Sequence, residues 1–270
     1  MKNIRQSPAY GLYLKKLNWQ VYKEKEFQYY VRKLPLLGNF VKILKPLKSP
    51  NSLTLDSLAK KHHAFAVAVD YSPSKTLQLD LTPSLDEIQA QMDKDTRYEI
   101  RKAEENKILV KKSEDIESFI DIWTQNAKRR GFWVPFKKEI RAIFESFGKN
   151  AYLFLTYSNF QLPASNFPLA GALILLANDT ASYFHAASTP EGRKLAAPSL
   201  VVWEAIKIAK KNGCKIFDFE GIIDPRDKNT KKWGGFTRFK KGFGGKEVEY
   251  PLPITKYYNP VIKFLFSLFS

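Results

Sequence analysis

The chain has 270 residues, 44% of them hydrophobic and 26% charged, which excludes a disordered or collagen-like chain. Its 44 Lys and Arg against 27 Asp and Glu give a net charge of +17, which favours a polyanionic partner: nucleic acid, anionic lipid or a nucleotide-linked substrate. A single cysteine, Cys214, excludes an internal disulfide and a Cys-rich metal site, and three histidines leave little room for a zinc centre.

The first stretch reads as helix, meander, helix and two strands. Ser7 to Leu17 has helical apolar spacing, and Trp19–Tyr22, Phe27–Leu34 and Phe40–Leu44 are rich in aromatic and β-branched residues, as strands are. A turn over Pro46–Asn51 leads to a helix over Leu53–His62, then strands over His63–Tyr71 and Thr76–Leu81. Thr82-Pro83 predicts the cap and first turn of one long helix reaching Asn106. That segment is densely charged with sparse apolar positions, as in a solvated connecting helix.

The second stretch is more regular. A strand over Ile108–Lys111 precedes helices over Ile116–Ala127 and Lys138–Phe147. Lys128-Arg129-Arg130 ends the first of these, where cations complement the helix dipole and can meet phosphates. Strands follow over Ala151–Tyr157, Leu169–Ala177 and Ala181–Ala187. Pro198–Asn212 carries Val202, Ala205, Ile206 and Ala209 on one helical face, and Gly213 closes it. Lys215–Phe219 reads as a buried strand with Asp218 at its end. A loop over Asp224–Lys232 leads into a glycine-rich basic segment.

This order of elements resembles the GNAT acyltransferase core. The expected fold class is α/β (α+β): two GNAT-like lobes with mixed, mostly antiparallel sheets flanked by helices and no coiled-coil arm. The expected first lobe is 1–106, with 251–270 a candidate return to it, and the second is 107–250. In acetyl-CoA-using members of that fold, a glycine-rich loop at a helix N-terminus holds the pyrophosphate on backbone N–H groups. Here the corresponding loop, Glu191-Gly192-Arg193-Lys194-Leu195-Ala196-Ala197-Pro198, has one glycine, and Pro198 lacks a donor. Arg193 and Lys194 still bring positive charge to a helix N-terminus.

Three segments together resemble the FemABX family of non-ribosomal peptidyl transferases. The first is Thr96-Arg97-Tyr98-Glu99-Ile100-Arg101-Lys102-Ala103-Glu104. The second combines Tyr183-Phe184-His185-Ala186-Ala187-Ser188, Pro198 to Trp203, and Phe217-Asp218-Phe219-Glu220-Gly221-Ile222. The third is Gly235-Phe236-Thr237-Arg238-Phe239-Lys240-Lys241-Gly242-Phe243-Gly244-Gly245. The family's usual residue at position 220 is small, whereas this chain has Glu220.

The resemblance implies transfer of an amino acid from aminoacyl-tRNA to the stem-peptide amine of a peptidoglycan precursor, either lipid II or UDP-MurNAc-peptide. It needs no cofactor and no metal. The aminoacyl ester is already activated, so no covalent nucleophile is required, and a fixed cation beside the developing oxyanion is the expected catalytic group. Lys240, in the Phe–Lys motif, is the candidate, with Phe239 shaping its pocket. Asp218 is the second catalytic candidate, and Glu220 a weaker one. Arg97, Tyr98 and Arg101 are candidate substrate contacts, although ion pairing with Glu104 and Glu105 along the helix explains the arginines equally well. Alternation puts Tyr183 and His185 on one strand face as candidate cleft residues. Arg193, Arg238 and Lys241 complete the expected binding set.

Two other readings stay open: a GNAT-type N-acyltransferase using acyl-CoA on a small amine or sugar, and a non-catalytic membrane- or RNA-docking protein. Met1–Leu17 lacks the apolar core of a secretion signal, and no stretch reaches the roughly 18 apolar residues of a membrane span. The expected location is therefore the cytoplasm. The apolar run Val261–Phe269, with Lys256 and Lys263 near it, predicts a helix docked on the protein's own core or lying at the inner membrane face.

Overall fold

The computed structural model describes residues 3–129, 137–158 and 167–267. In chain order the elements are α1 (Pro8–Lys16), β1 (Gln20–Lys23), β2 (Gln28–Leu34), β3 (Gly38–Leu44), α2 (Ser52–His62), β4 (Ala64–Asp70), β5 (Lys75–Asp80), α3 (Leu85–Ala90), α4 (Lys94–Glu105) and β6 (Ile108–Ser113). Then come α5 (Ile116–Arg129), α6 (Lys137–Phe147), β7 (Ala151–Ser158), β8 (Ala170–Ala177), β9 (Thr180–Ser188), α7 (Pro190–Lys194), α8 (Ala197–Lys211), β10 (Ile216–Gly221), α9 (Gly234–Lys241), β11 (Lys246–Glu249), β12 (Ile254–Tyr257) and α10 (Pro260–Ser267). Arg130 and Leu268–Ser270, part of the basic cluster and of the apolar tail, lie outside the described residues.

The chain divides into two compact units, Met1–Ser74 with Glu249–Ser270, and Lys75–Val248. The first holds a sheet in the order β1-β2-β3-β4-β12. β3 and β4 run parallel and the other pairs antiparallel. A parallel neighbour requires a crossover, and α2 supplies it. The Asn51 side chain accepts from Thr54 N at 2.9 Å to start α2, and His63 ends it in a left-handed conformation. Leu55, Leu58 and Ala59, at i, i+3 and i+4, are buried with Tyr29, Val41 and Val67. β12 pairs with β4, Ile254 opposite Val69 and Tyr257 opposite Ala66.

The second unit holds a sheet in the order β11-β5-β10-β9-β8-β7-β6. Again one pair, β9 and β10, is parallel, and a helix, α8, crosses between them. Ala205, Ile206 and Ala209 of α8 pack with Leu77, Leu79, Phe217 and Phe219 of the sheet in one buried cluster. The fold class is the expected one: two mixed sheets flanked by helices, with no coiled coil among the described residues.

Several local expectations are corrected. The 75–106 segment, expected in the first lobe, belongs to the second unit, because β5 is a strand of the second sheet, antiparallel to β10. The single long helix is two. Ser84, not Thr82, caps α3 in a reciprocal capping box with Glu87. The chain then breaks, and Asp93 caps α4 by accepting from Thr96 N. Nor is α4 a solvated connector. Its Thr96, Ile100 and Ala103 are buried at helical spacing, and Ser199 of α8 donates to Glu99. The glycine-rich basic segment, given no element from the sequence, forms α9.

Candidate functional site

The site is built on a defect in the second sheet. β5 and β10 pair Ile216 with Asp80, Phe217 with Leu79 and Asp218 with Gln78; the next pair is Gly221 with Thr76. One extra residue therefore sits in β10, a β-bulge. Glu220 takes the strain with φ of +60°, where a side chain is disfavoured. This geometry explains why a small residue suits position 220. Asp218, just before the bulge, lies within the strand, not at its end: its Oδ1 accepts from Glu220 N at 2.7 Å and its Oδ2 from Gln78 Nε2 at 2.9 Å. Both carboxylates are buried.

α9 is tied to the end of that strand. Lys240 Nζ donates to the Gly221 carbonyl at 2.6 Å, and Thr237 Oγ1, one turn earlier, accepts from Ile223 N at 2.9 Å. Phe243 bridges Phe239 and Phe219 at ring separations of 5.4 and 5.6 Å, which seats the helix on the core. The helix then ends against the α3–α4 break, where Asp93 N donates to Gly242 O. Only glycine fits there, because a Cβ on residue 242 would stand 2.2 Å from Thr96 Oγ1.

Burial pushes the Lys240 ammonium down from 10.5 to about 8, while Glu220 and Asp218 partly counter it. A lysine so placed is cationic below about pH 8 and loses its charge above. It can therefore stabilise developing negative charge in a dry setting.

The other expected site residues fall in different places. Arg97 donates from Nη1 to the carbonyls of Ala90 and Met92, tying α4 to the end of α3. Tyr98 and Arg101 are exposed on α4, Arg101 lying 5.8 Å from the Tyr98 ring and 3.7 Å from Glu105. Arg193 Nη1 donates to Ser188 O and Oγ, bracing the entry to α8. Lys241 pairs with Glu247 at 2.6 Å, and Arg238 is exposed in the last turn of α9. Cys214 is buried, and burial and then Asp179 push its thiol up, which suits a core residue.

Tyr183 and His185 do not share a face. A second bulge shifts the register from Leu173–His185 to Ile174–Tyr183, and one inserted residue breaks the alternation. Tyr183 packs on Phe217 and Phe219 in the buried cluster, and its burial pushes its hydroxyl pKa up. His185 faces Trp123 of α5 at 6.0 Å, on the side of the sheet where Ser182 aligns with Asp218. Sequence reasoning also missed Gln78, which holds Asp218 from the neighbouring strand.

The first unit contains a cavity of about 180 Å³, lined by Arg5, Trp19, Tyr30, Lys42, Asp70 and Ser72 among others. Lys42 Nζ lies 2.6 Å from Asp70 Oδ2, and Ser72 N donates to Oδ1 at 2.8 Å. Burial would raise the Asp70 carboxyl, but Lys42 and the Ser72 amide outweigh it and hold the group below its usual range. The only signal in the sequence is a charged residue closing a wholly apolar strand. Among the described residues, no group of three or more His, Cys, Asp or Glu could hold a metal ion. No helix there is long and apolar enough to cross a membrane.

The scaffold is thus two mixed sheets, each with a helix crossing between parallel neighbours, with a half-buried lysine against a bulged strand. The structure resembles the crystal structure of FemX with a TM-score of 0.81 at 16% identity, over 97% of this chain and 94% of that one. It is also similar to the C-terminal domain of a putative lysylphosphatidylglycerol synthetase from Agrobacterium fabrum (TM-score 0.62, 9% identity, 98% and 92% covered). A third likeness is to L-PGS from Bacillus licheniformis (TM-score 0.59, 10% identity, 94% and 90% covered). No curated protein matches the sequence. The FemAB family model matches residues 48–165 and 161–269, and the chain belongs to the FemAB family. At the level of that family it is an acyltransferase of peptidoglycan cross-bridge synthesis.

Proposed function

We propose that the protein transfers an amino acid from aminoacyl-tRNA to the stem-peptide amine of a peptidoglycan precursor. The observation that carries this reading is the half-buried Lys240, held on the Gly221 carbonyl in a chain of the FemAB family. The neutral amine attacks the ester carbonyl, and negative charge gathers on the carbonyl oxygen. A Lys240 ammonium stabilises that oxygen. The new C–N bond forms, the C–O bond to the tRNA ribose breaks, and the proton released by the amine balances the one taken up by the ribose hydroxyl.

Asp218 acts through Lys240 in this scheme. Both its oxygens already accept hydrogen bonds, which weakens it as a base, and its charge helps keep Lys240 protonated. Phe239 holds the helix that carries the lysine. His185 replaces Tyr183 as the candidate on the Asp218 face. Arg238, Lys241, Arg101 and Tyr98 are proposed contacts for the tRNA or the precursor, and Arg97 and Arg193 support the elements that carry them.

The test supplies purified protein with mixed labelled aminoacyl-tRNAs and either UDP-MurNAc-peptide or lipid II, and follows the acceptor's mass. A parallel sample is treated with ribonuclease first. The expected result is a gain of one aminoacyl residue that ribonuclease abolishes. No gain on either acceptor, while a known transferase succeeds in the same mixture, refutes the proposal. Transfer from acyl-CoA instead would move the protein to the acyl-CoA-using class.

A further inference from the structure

α10 is amphipathic in an unusual sense, because its outward face is the apolar one. Asn259 Oδ1 caps it, accepting from Val261 N and Ile262 N. Ile262 points inward and is buried with Phe65 and Ala66, and Leu34, Leu37, Phe40 and Tyr257 pack around that cluster. Val261, Phe264 and Leu265, at i, i+3 and i+4, form a stripe that runs beside Ile262 and are 65%, 62% and 46% exposed. The turn between β2 and β3 adds to this patch. Leu34 and Leu37 reach the Ile262 cluster, while Leu36 between them stands wholly in solvent with φ of +65°. A leucine in that backbone region, with no burial to offset it, is costly for folding alone.

The segments that carry the patch are basic. Residues 28–45 and 250–270 contain no Asp or Glu; of their cations Lys42 pairs with Asp70, Lys256 pairs with Asp56 and Lys45 is buried, which leaves Arg32, Lys33 and Lys263 to meet an anionic surface. Arg32, Lys33 and Lys263 are exposed. Exposed aliphatic and aromatic side chains rimmed by cations match an anionic bilayer surface: the apolar groups enter the acyl boundary and the cations meet the headgroups.

We infer that α10 and the β2–β3 turn form a peripheral docking face for an anionic lipid bilayer. The occupant is a bilayer and not a second copy of this chain, since two copies would bring the cationic rims together. The inference stands apart from the proposed transfer reaction and is tested without it.

The experiment is co-sedimentation of the full chain with extruded vesicles of phosphatidylcholine alone or mixed with phosphatidylglycerol. The variants are Leu36→Asp with Phe264→Asp, and Leu53→Asp as a control for an exposed leucine on α2. Circular dichroism confirms that each is folded. Binding is expected on the phosphatidylglycerol vesicles only, and to weaken with salt. The double variant should bind at least about tenfold more weakly, from two lost apolar contacts and two added negative charges. The control should bind like the parent chain. Equal binding by the double variant, or no binding to anionic vesicles, overturns the inference. So does a lipid-free dimer that the double variant abolishes, since the occupant is then another copy.

Discussion

Replacing Lys240 by Met separates catalytic from structural use of the half-buried cation. The drop of the ammonium from 10.5 to about 8 means that holding it charged at neutral pH costs the fold roughly 3 kcal/mol. Met keeps the volume and removes that cost. It also removes a 2.6 Å charge-assisted hydrogen bond to Gly221 O, worth about 1.5–3 kcal/mol, and leaves Asp218 and Glu220 without their cation. The two effects nearly cancel, so thermal unfolding should shift by only a few degrees. Transfer is expected to fall by about 10²–10³-fold, the usual loss when one oxyanion donor is removed. The assay is single-turnover transfer at saturating precursor, read beside differential scanning calorimetry. A rate within about threefold of the parent would refute the catalytic role, since oxyanion stabilisation is worth far more. A collapse of the folded state with the rate loss would make the lysine structural.

Three further outcomes are expected. Activity should decline above about pH 8 as Lys240 loses its proton; across about pH 8 to 10.5 the folded chain binds fewer protons than the unfolded one, so this group makes stability rise with pH. Lys240→Met should abolish both trends, and a pH profile unaltered by the variant would contradict them. Glu220→Gly should relieve the left-handed backbone and remove a carboxylate that supports the lysine's charge, moving the alkaline decline to lower pH, whereas a shift to higher pH would be the wrong sign. Gly242→Ala should cost about 1–3 kcal/mol by forcing apart Thr96 and α9, lowering the unfolding temperature; no change would mean that the junction yields freely.

Strand and helix identities were legible wherever periodicity was strong, as in β7, β8 and α8. What escaped was decided by single residues. Two bulges, one at Glu220 and one beside Tyr183, obey no pattern in composition, yet one sets the Asp218 environment and the other sends Tyr183 away from it. The long charged helix was misread because Ser84 and Asp93 both cap, and a run of charges hides the break between them. Gly234 and Gly235 masked α9, since glycine reads as a breaker, although Thr237 and Lys240 lock the helix one turn apart. Sequence could place β5 as a strand but not assign its sheet, because alternation says nothing about which neighbour it will meet. Lys240 was singled out by likeness to a family; its burial and its Gly221 partner come only from the fold.

The Lys75–Val248 unit is inserted within the other, whose sheet takes β12 from the far side of the insertion. During synthesis the inserted unit emerges as one uninterrupted segment and can close its core while β4 still presents an open edge. That edge, with Ala66, Val67, Ala68 and Val69 along it, is a template for mispairing until residues 254–257 arrive. Shortening the chain before Ile254 should therefore cause aggregation and not merely loss of a surface strand. The order in which the ribosome delivers the two units protects one of them and leaves the other waiting for its last strand.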